Sequence, residues 1–222
     1  MSKYQRIFII VADSLGVGAM EDSANYGDEG ANTLSHLSYA KSDFSIPTLE
    51  MLGIGNIIAI NNTRPTKTPL ASWGKMQEMS VGKDTLTGHW EMMGLYVTKN
   101  FPSFTETGFP EDLMKKLEEQ TGHKFIGNKA ASGTAIIEEL GEEQLKTKAL
   151  IIYTSADSVM QIAANEEIIP LSELYRVCEI ARKLTMENPT WMVGRIIARP
   201  FVGKGKGTFV RTTNRHDYAL KP

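Results

Sequence analysis

Apolar positions along this chain fall into two patterns. One is a set of short uninterrupted runs. Residues 6–12 read Arg-Ile-Phe-Ile-Ile-Val-Ala, and residues 149–154 read Ala-Leu-Ile-Ile-Tyr-Thr. Runs of this length, rich in β-branched residues, predict strands, and the first predicts one buried on both faces as in a parallel sheet. Residues 192–199 predict another strand and residues 209–212 a shorter one. The other pattern recurs at three and four residues and predicts helices over residues 33–39, 111–120 and 171–184. Thr121-Gly122 stops the second helix, and Ser172 is a candidate cap for the third. Leu174, Val177, Cys178, Ala181 and Leu184 share one face of that third helix, which places Cys178 in a core rather than in thiol chemistry. The alternation of elements reads as an α/β fold, and Phe101-Pro102 with Phe109-Pro110 marks a change of character near residue 100.

Between those runs lies the stretch with the densest chemistry. Residues 81–91 read VGKDTLTGHWE and place hydroxyls, a cation, two acids and a histidine around two glycines, ahead of a helix-like segment. Glycines let the backbone approach an anion, and the first free amides of a helix point at it. Thr85 is therefore a candidate for phosphorylation, while Thr85 or Thr87 equally fits a helix N-cap. Asp13 follows the first apolar run and precedes Gly16 and Gly18. A carboxylate just past a parallel strand sits where a metal or phosphate binds, and the same position suits a turn or cap acid.

These two motifs, DSLGVG at 13–18 and GKDTLTGHWEMMG at 82–94, are similar to those of the phosphopentomutases of the alkaline-phosphatase superfamily. Further blocks follow in family order: IIYTSADS at 151–158, VGRIIARP at 193–200 and NRHDYAL at 214–220. The resemblance covers essentially the whole chain. Ala31 before Asn32-Thr33, where many relatives carry an acid, is a small departure. It implies part of an alkaline-phosphatase-like core sheet with an inserted α+β cap domain. Residues 1–99 would be the N-terminal part of the core, 100–216 the cap, and 217–222 the start of the return. Family members are nearly twice as long, and most of their metal-binding Asp and His residues lie in the part not present. The chain as given is thus expected to be catalytically incomplete, with the missing half as a partner.

The chemistry implied is interconversion of ribose or deoxyribose 1-phosphate and 5-phosphate through a phosphorylated Thr85 and a sugar bisphosphate, which also acts as primer. Two divalent metal ions, manganese preferred, would flank the nucleophile, with Asp13 and Thr85 as ligands. A metal lowers the pKa of a poor hydroxyl nucleophile, and oxygen-rich ligation suits manganese or magnesium. In the cap, Ser155 and Asp157 emerge at a strand's carboxyl end and can bond a sugar or its phosphate, or simply close an Asx-type turn. Arg195 inside an apolar strand needs an anion, either a structural carboxylate or a substrate phosphate. The resemblance favours Arg195 and one of Arg211 or Arg215 on the distal phosphate. Ile197, two residues along from Arg195, faces the same side and is a candidate to line the sugar site. The loop 203–207 could close over an anion, although Lys204 and Lys206 read as solvated. His89 reads as packed and hydrogen-bonded, and His216 as part of a hinge.

Composition narrows the partners. The 222 residues are 41% hydrophobic with a formal net charge of -2, which gives no electrostatic case for nucleic acid or an anionic membrane. One cysteine excludes an intrachain disulfide. No secretory signal is visible, since the first apolar run is too short and ends in Asp13, and no run approaches a membrane span. A cytoplasmic location is expected. Two alternatives stand beside the mutase. One is another metal-dependent phosphatase or phosphomutase of the superfamily, and the other a non-catalytic phosphosugar-binding fragment.

Overall fold

The computed structural model describes residues 4–12 and 15–221, in two compact units divided between residues 78 and 79. The first unit holds two short helices, α1 (Thr33–Ala40) and α2 (Pro47–Leu52), and 3-10 turns at Ser23–Tyr26 and Ile54–Asn56. The Asn32 side chain caps α1 by accepting from the Ser35 amide. Side chains then do what a sheet would do elsewhere. The Asn61 amide donates to the Ser38 hydroxyl, and Asn56 exchanges two hydrogen bonds with the backbone of Thr66.

Residues 6–12 depart from the sequence expectation. They are not a strand, and Ile7 and Ile10 are 84% and 92% exposed. A strand needs a neighbour's amides and carbonyls along its edge and apolar cover on its faces. Among the described residues, nothing pairs with this segment. Its β-branched composition therefore has no ladder in which to act.

The second unit carries the sheet. Its elements are α3 (Thr85–Met92), α4 (Glu111–Thr121), β1 (Phe125–Ala130), α5 (Gly133–Thr147), β2 (Leu150–Thr154), β3 (Val159–Asn165), α6 (Leu171–Glu187), β4 (Arg195–Val202), β5 (Val210–Arg211) and β6 (His216–Ala219). The six strands run in the order β1-β2-β3-β4-β5, with β6 also on β4. β1–β2 and β3–β4 are parallel, while β2–β3, β4–β5 and β4–β6 are antiparallel. β5 pairs with the end of β4 and β6 with its start, so both share one edge of that strand. The α/β class thus holds, as a mixed sheet. The 192–199 run begins its strand three residues late, at Arg195, and the 171–184 helix extends to Glu187. Pro170, not Ser172, occupies that helix's cap position, without a side-chain bond. Four elements of this unit, β1, α5, β3 and β6, are absent from the sequence reading, and His216, expected in a hinge, lies in the last of them.

Strand alternation sorts the sheet into two faces. Leu150, Ile152, Met160, Ile162, Ile196 and Ala198 point to one, where Leu113 and Leu117 of α4 and Leu174, Val177, Cys178 and Ala181 of α6 cover them. Cys178 is fully buried there, and burial pushes its thiol far above the ordinary range. Ile151, Tyr153, Ala163 and Phe201 point to the other face, against Ile136 and Ile137 of α5. That second face also carries Arg195, Ile197 and Arg199 by alternation along β4.

A charged cluster ties α4 to α6. Arg176 donates to both carboxylate oxygens of Glu173 at 2.8 and 2.6 Å and to the Thr121 carbonyl at 2.8 Å. His123 Nε2 lies 2.7 Å from the same carboxylate. The hydrogen bond from Arg176 is the main cause that lowers the Glu173 carboxyl from 4.5 to about 2. A carboxyl depressed on folding stabilises above its unfolded pKa and loses that contribution as pH falls through the folded one. Glu173→Gln is therefore less stable than the parent chain at neutral pH. The gap narrows between about pH 4.5 and pH 2, as urea unfolding across that window will show. A difference independent of pH would exclude this origin.

Candidate functional site

The motif around Thr85 opens α3, and the cap is Asp84 rather than either threonine. Asp84 Oδ1 accepts from the Leu86 amide at 2.7 Å, closing the helix start. Its Oδ2 accepts from the Ser158 amide, also at 2.7 Å. One carboxylate thus ends the helix and pins it to the turn between β2 and β3. Thr87 is buried, whereas Thr85 is exposed at the first helical position with its hydroxyl uncommitted to the helix. The hydroxyl meets Asp157 instead, 3.3 Å from Oδ2 and 3.4 Å from Oδ1.

Asp157 sits in that same turn, with half-buried Ser155 two residues before it. Its Oδ2 also accepts from Arg195 Nη2 at 3.1 Å. Arg195, at the first position of β4, thereby finds the anion that its place in an apolar strand requires. The supporting contacts are dense. Ser158 Oγ donates to the Pro102 carbonyl at 2.6 Å and accepts from the Gly194 amide at 3.2 Å, which fixes the residue before Arg195. Thr85, Asp157 and Arg195, far apart in sequence, form one hydrogen-bonded row, and the Arg195 Nε is buried without a partner.

Further along the same face, Ile197 is buried between Gln161 of β3 and Asp217 of β6. Beyond it lies a cavity of about 660 Å³ lined in part by Arg199, Arg211, Arg215, Thr134 and Phe209. Arg215 chelates Asp217 through two short bonds of 2.6 and 2.5 Å, which raises its pKa. Arg199 donates to neutral Gln161 at 2.9 Å, and its burial lowers its pKa. Arg211 has no ion-pair partner among the described residues. Sequence reasoning named Arg211 and Arg215 but stopped at Ile197 and so missed Arg199. The signal was present in the i, i+2, i+4 alternation of Arg195, Ile197 and Arg199.

Other candidates have structural work. His89 Nδ1 donates to the Thr85 carbonyl at 2.7 Å, as it must against an acceptor-only oxygen, and the ring is exposed rather than packed. Glu91, unremarked in sequence, accepts from the amides of Met79 and Ser80 at 2.8 and 2.6 Å. The 203–207 loop turns its Lys206 and Gly207 amides to Glu142 and Glu138 of α5 rather than toward an anion. His216 is in strand β6.

Asp13 lies outside the described residues. Among the rest, no group of three or more His, Cys, Asp or Glu side chains could hold a metal. The one carboxylate at Thr85 is already faced by Arg195, so the described side chains do not by themselves form a metal site. No described helix is long and apolar enough to cross a membrane.

Comparison with known proteins bears on the whole chain. No protein-family profile matches it. It is 59% identical over all 222 residues to a phosphopentomutase of Clostridium perfringens strain 13. It is 57% identical to one of Clostridium botulinum strain Alaska E43 and 56% identical to one of Agathobacter rectalis, again over 222 residues. In each case the chain spans 56% of the relative's length.

Proposed function

We infer that this chain is a portion of a phosphopentomutase, an isomerase that interconverts (deoxy)ribose 1-phosphate and (deoxy)ribose 5-phosphate. The observation that carries this reading is an overall identity of 59% over all 222 residues, in a chain whose helix α3 opens at Thr85. The geometry supports it. An exposed hydroxyl at the start of a helix, beside a carboxylate and an arginine, is a reasonable acceptor for a phosphoryl group.

In this reading Thr85 carries the phosphoryl group. A sugar hydroxyl attacks phosphorus, the bond from phosphorus to Thr85 Oγ1 breaks, and the sugar becomes a bisphosphate. The return step reforms that bond with the other phosphate and releases the isomer. Asp157 is placed to accept the Thr85 hydroxyl proton or a sugar hydroxyl, and Arg195 offsets its charge. Ser155 and Ile197 border the sugar, and Arg211 or Arg215 faces the phosphate that does not react. Divalent ions, manganese preferred, would neutralise phosphoryl oxygens, with Asp13 and Thr85 as ligands and others from outside the described set. The division into core residues 1–99, cap 100–216 and a return at 217–222 belongs to the same proposal, as does a cytoplasmic location. So does partnership with the remainder of such a protein. The compact unit that carries the sheet begins at residue 79 and takes in β6.

The test is conversion of ribose 1-phosphate to ribose 5-phosphate by the purified 222-residue chain, with manganese and a sugar bisphosphate primer. Turnover that falls by at least about a thousandfold in Thr85→Ala would support Thr85 as the phosphoryl carrier. Equal turnover in both proteins would exclude it. If neither turns over, labelling of Thr85 by the bisphosphate, read by mass spectrometry, decides the same question without a complete cycle.

A further inference from the structure

We propose that Asp84 is a positioning residue, which sets the Thr85 hydroxyl against Asp157 through a second row of residues behind the first. The proposal deepens the phosphopentomutase reading and rests on it only for the claim that Thr85 reacts.

Each member of the row Thr85, Asp157 and Arg195 has a chain neighbour in the row behind. Asp84 precedes Thr85, Ser158 follows Asp157, and Gly194 precedes Arg195. These three neighbours are joined to one another. Asp84 Oδ2 accepts from the Ser158 amide at 2.7 Å, and Ser158 Oγ accepts from the Gly194 amide at 3.2 Å. The Ser158 carbonyl accepts from the Arg195 amide at 3.2 Å, and its hydroxyl donates to the Pro102 carbonyl at 2.6 Å. Ser158 is buried, and its amide, carbonyl and hydroxyl are all spent on this junction.

Distances decide which row holds the other. A hydroxyl ordinarily donates to an oxygen at about 2.5 to 3.0 Å. The contacts of Thr85 with Asp157 are longer, at 3.3 and 3.4 Å, and exposed, so they do not fix the helix. The two bonds that Asp84 accepts are 2.7 Å long and charge-assisted. Ending a helix takes one acceptor, and a serine or asparagine would cap α3 as well. Asp84 supplies two, one for the Leu86 amide and one for the Ser158 amide. The second oxygen has no task within the helix. Its effect is to place the residue after Asp84 against the residue before Ser158.

Gly194 supplies an independent observation. It is buried, and a Cβ there would stand 3.2 Å from the Ser158 carbonyl oxygen. The same Cβ would lie 3.4 Å from both Asp84 Oδ1 and Leu86 Cδ2. The start of α3 thus closes onto the residue before Arg195 with little room for a methyl group. The doubly bonded carboxylate, the saturated serine and the bare glycine all serve one contact. Thr85 is aimed by groups other than its own hydroxyl, and a misplacement of about 1 Å can cost about a hundredfold in rate.

Proximity is read from a cross-link between Thr85→Cys and Asp157→Cys in the 222-residue chain. Glutathione disulfide is the oxidant: the two thiols give up two electrons and two protons to form a disulfide, and the oxidant is reduced to two glutathione thiols. Cys178 is buried and does not compete. The effective concentration of the thiol pair is compared with and without Asp84→Ser or Gly194→Ala, after thermal unfolding has shown each chain to be folded. Asp84→Ser keeps a cap but has no second oxygen for Ser158, and Gly194→Ala wedges the junction without changing charge. Expected is a fall of at least about tenfold in Asp84→Ser and about threefold in Gly194→Ala. An effective concentration unchanged within about twofold in Asp84→Ser, or in Gly194→Ala should the first not fold, overturns the proposal whatever happens to stability. Labelling of Thr85 by the sugar bisphosphate is followed in chains that keep Thr85 and Asp157. It should slow at least about tenfold in Asp84→Ser, with ribose 5-phosphate affinity within about threefold of the parent. Slower labelling with an unchanged cross-link would overturn positioning. A weakened cross-link with no labelling even of the parent would uphold the role of Asp84 and count against the mutase reading.

Discussion

Asp157→Ala lowers the affinity for ribose 5-phosphate by roughly thirtyfold, the worth of about 2 kcal/mol in lost charge-assisted bonds. Asp157 is the acceptor that both Thr85 and Arg195 reach. Without it, Arg195 keeps a buried Nε with no partner and loses the carboxylate that pairs with it among the described residues. The guanidinium then swings free of the place where a substrate would meet it. Folding stability should suffer less, by about 1 kcal/mol, because the pair is partly solvated, at 21% and 34% side-chain exposure. A cycle with Arg195→Ala separates the terms. Coupling in ligand affinity that exceeds coupling in stability marks a pair kept for binding. Equal and small coupling in both would reduce it to an ordinary surface ion pair.

Gly127→Ala costs about 3 kcal/mol of stability, one of the larger losses available to a single methyl group in this chain. Gly127 sits in β1 at φ +100°, and a Cβ there would meet the Ile152 carbonyl oxygen of β2 at 2.7 Å. That oxygen belongs to a fully buried strand and cannot yield. The Cδ1 atoms of Ile136 and Leu140 crowd the same point at 3.3 Å. Gly122 offers the control. It ends α4 at φ +76° with nothing near its missing Cβ. Gly122→Ala should cost only about 1 kcal/mol, the backbone term alone. Urea unfolding of both variants measures the contrast, and equal losses would show that crowding against Ile152 is relieved by movement of β1.

What could be read from sequence followed from how local each signal was. The α4 and α6 helices announce themselves by apolar spacing and, for α4, by Gly122 at the stop. β2 does so by an apolar run buried on both faces. Thr85 and Asp157 were legible through their motifs, and Arg195 through the cost of a cation in an apolar strand. β1 was not legible, because Phe125-Ile126-Gly127-Asn128-Lys129-Ala130 mixes glycine, asparagine and lysine. Its strand character comes from pairing with β2, a tertiary fact. α5 hides its period behind Gly133, Gly141 and a run of glutamates, and the ring of Phe209 packs where a Gly141 side chain would stand. Residues 6–12 failed in the opposite sense, since a strong propensity cannot make a strand with no partner. The cap of α3 was missed because Asp84 was read as part of a loop charge pattern. A third acceptor at the helix start was not weighed against the two threonines.

The break in β1 has a consequence for how the protein behaves in company. Between Gly127 and Lys129 the pairing with β2 slips, and Asn128 stands out of register at φ 42°. Its side-chain amide then takes both backbone groups of Phe109, accepting from the nitrogen at 2.7 Å and donating to the oxygen at 3.0 Å. β1 is the outermost strand on that side, the place where a foreign strand would dock. An incoming chain would meet a kinked template already occupied by its own preceding loop. Regular strand addition at this border would be interrupted at Asn128, which works against edge-to-edge pairing there.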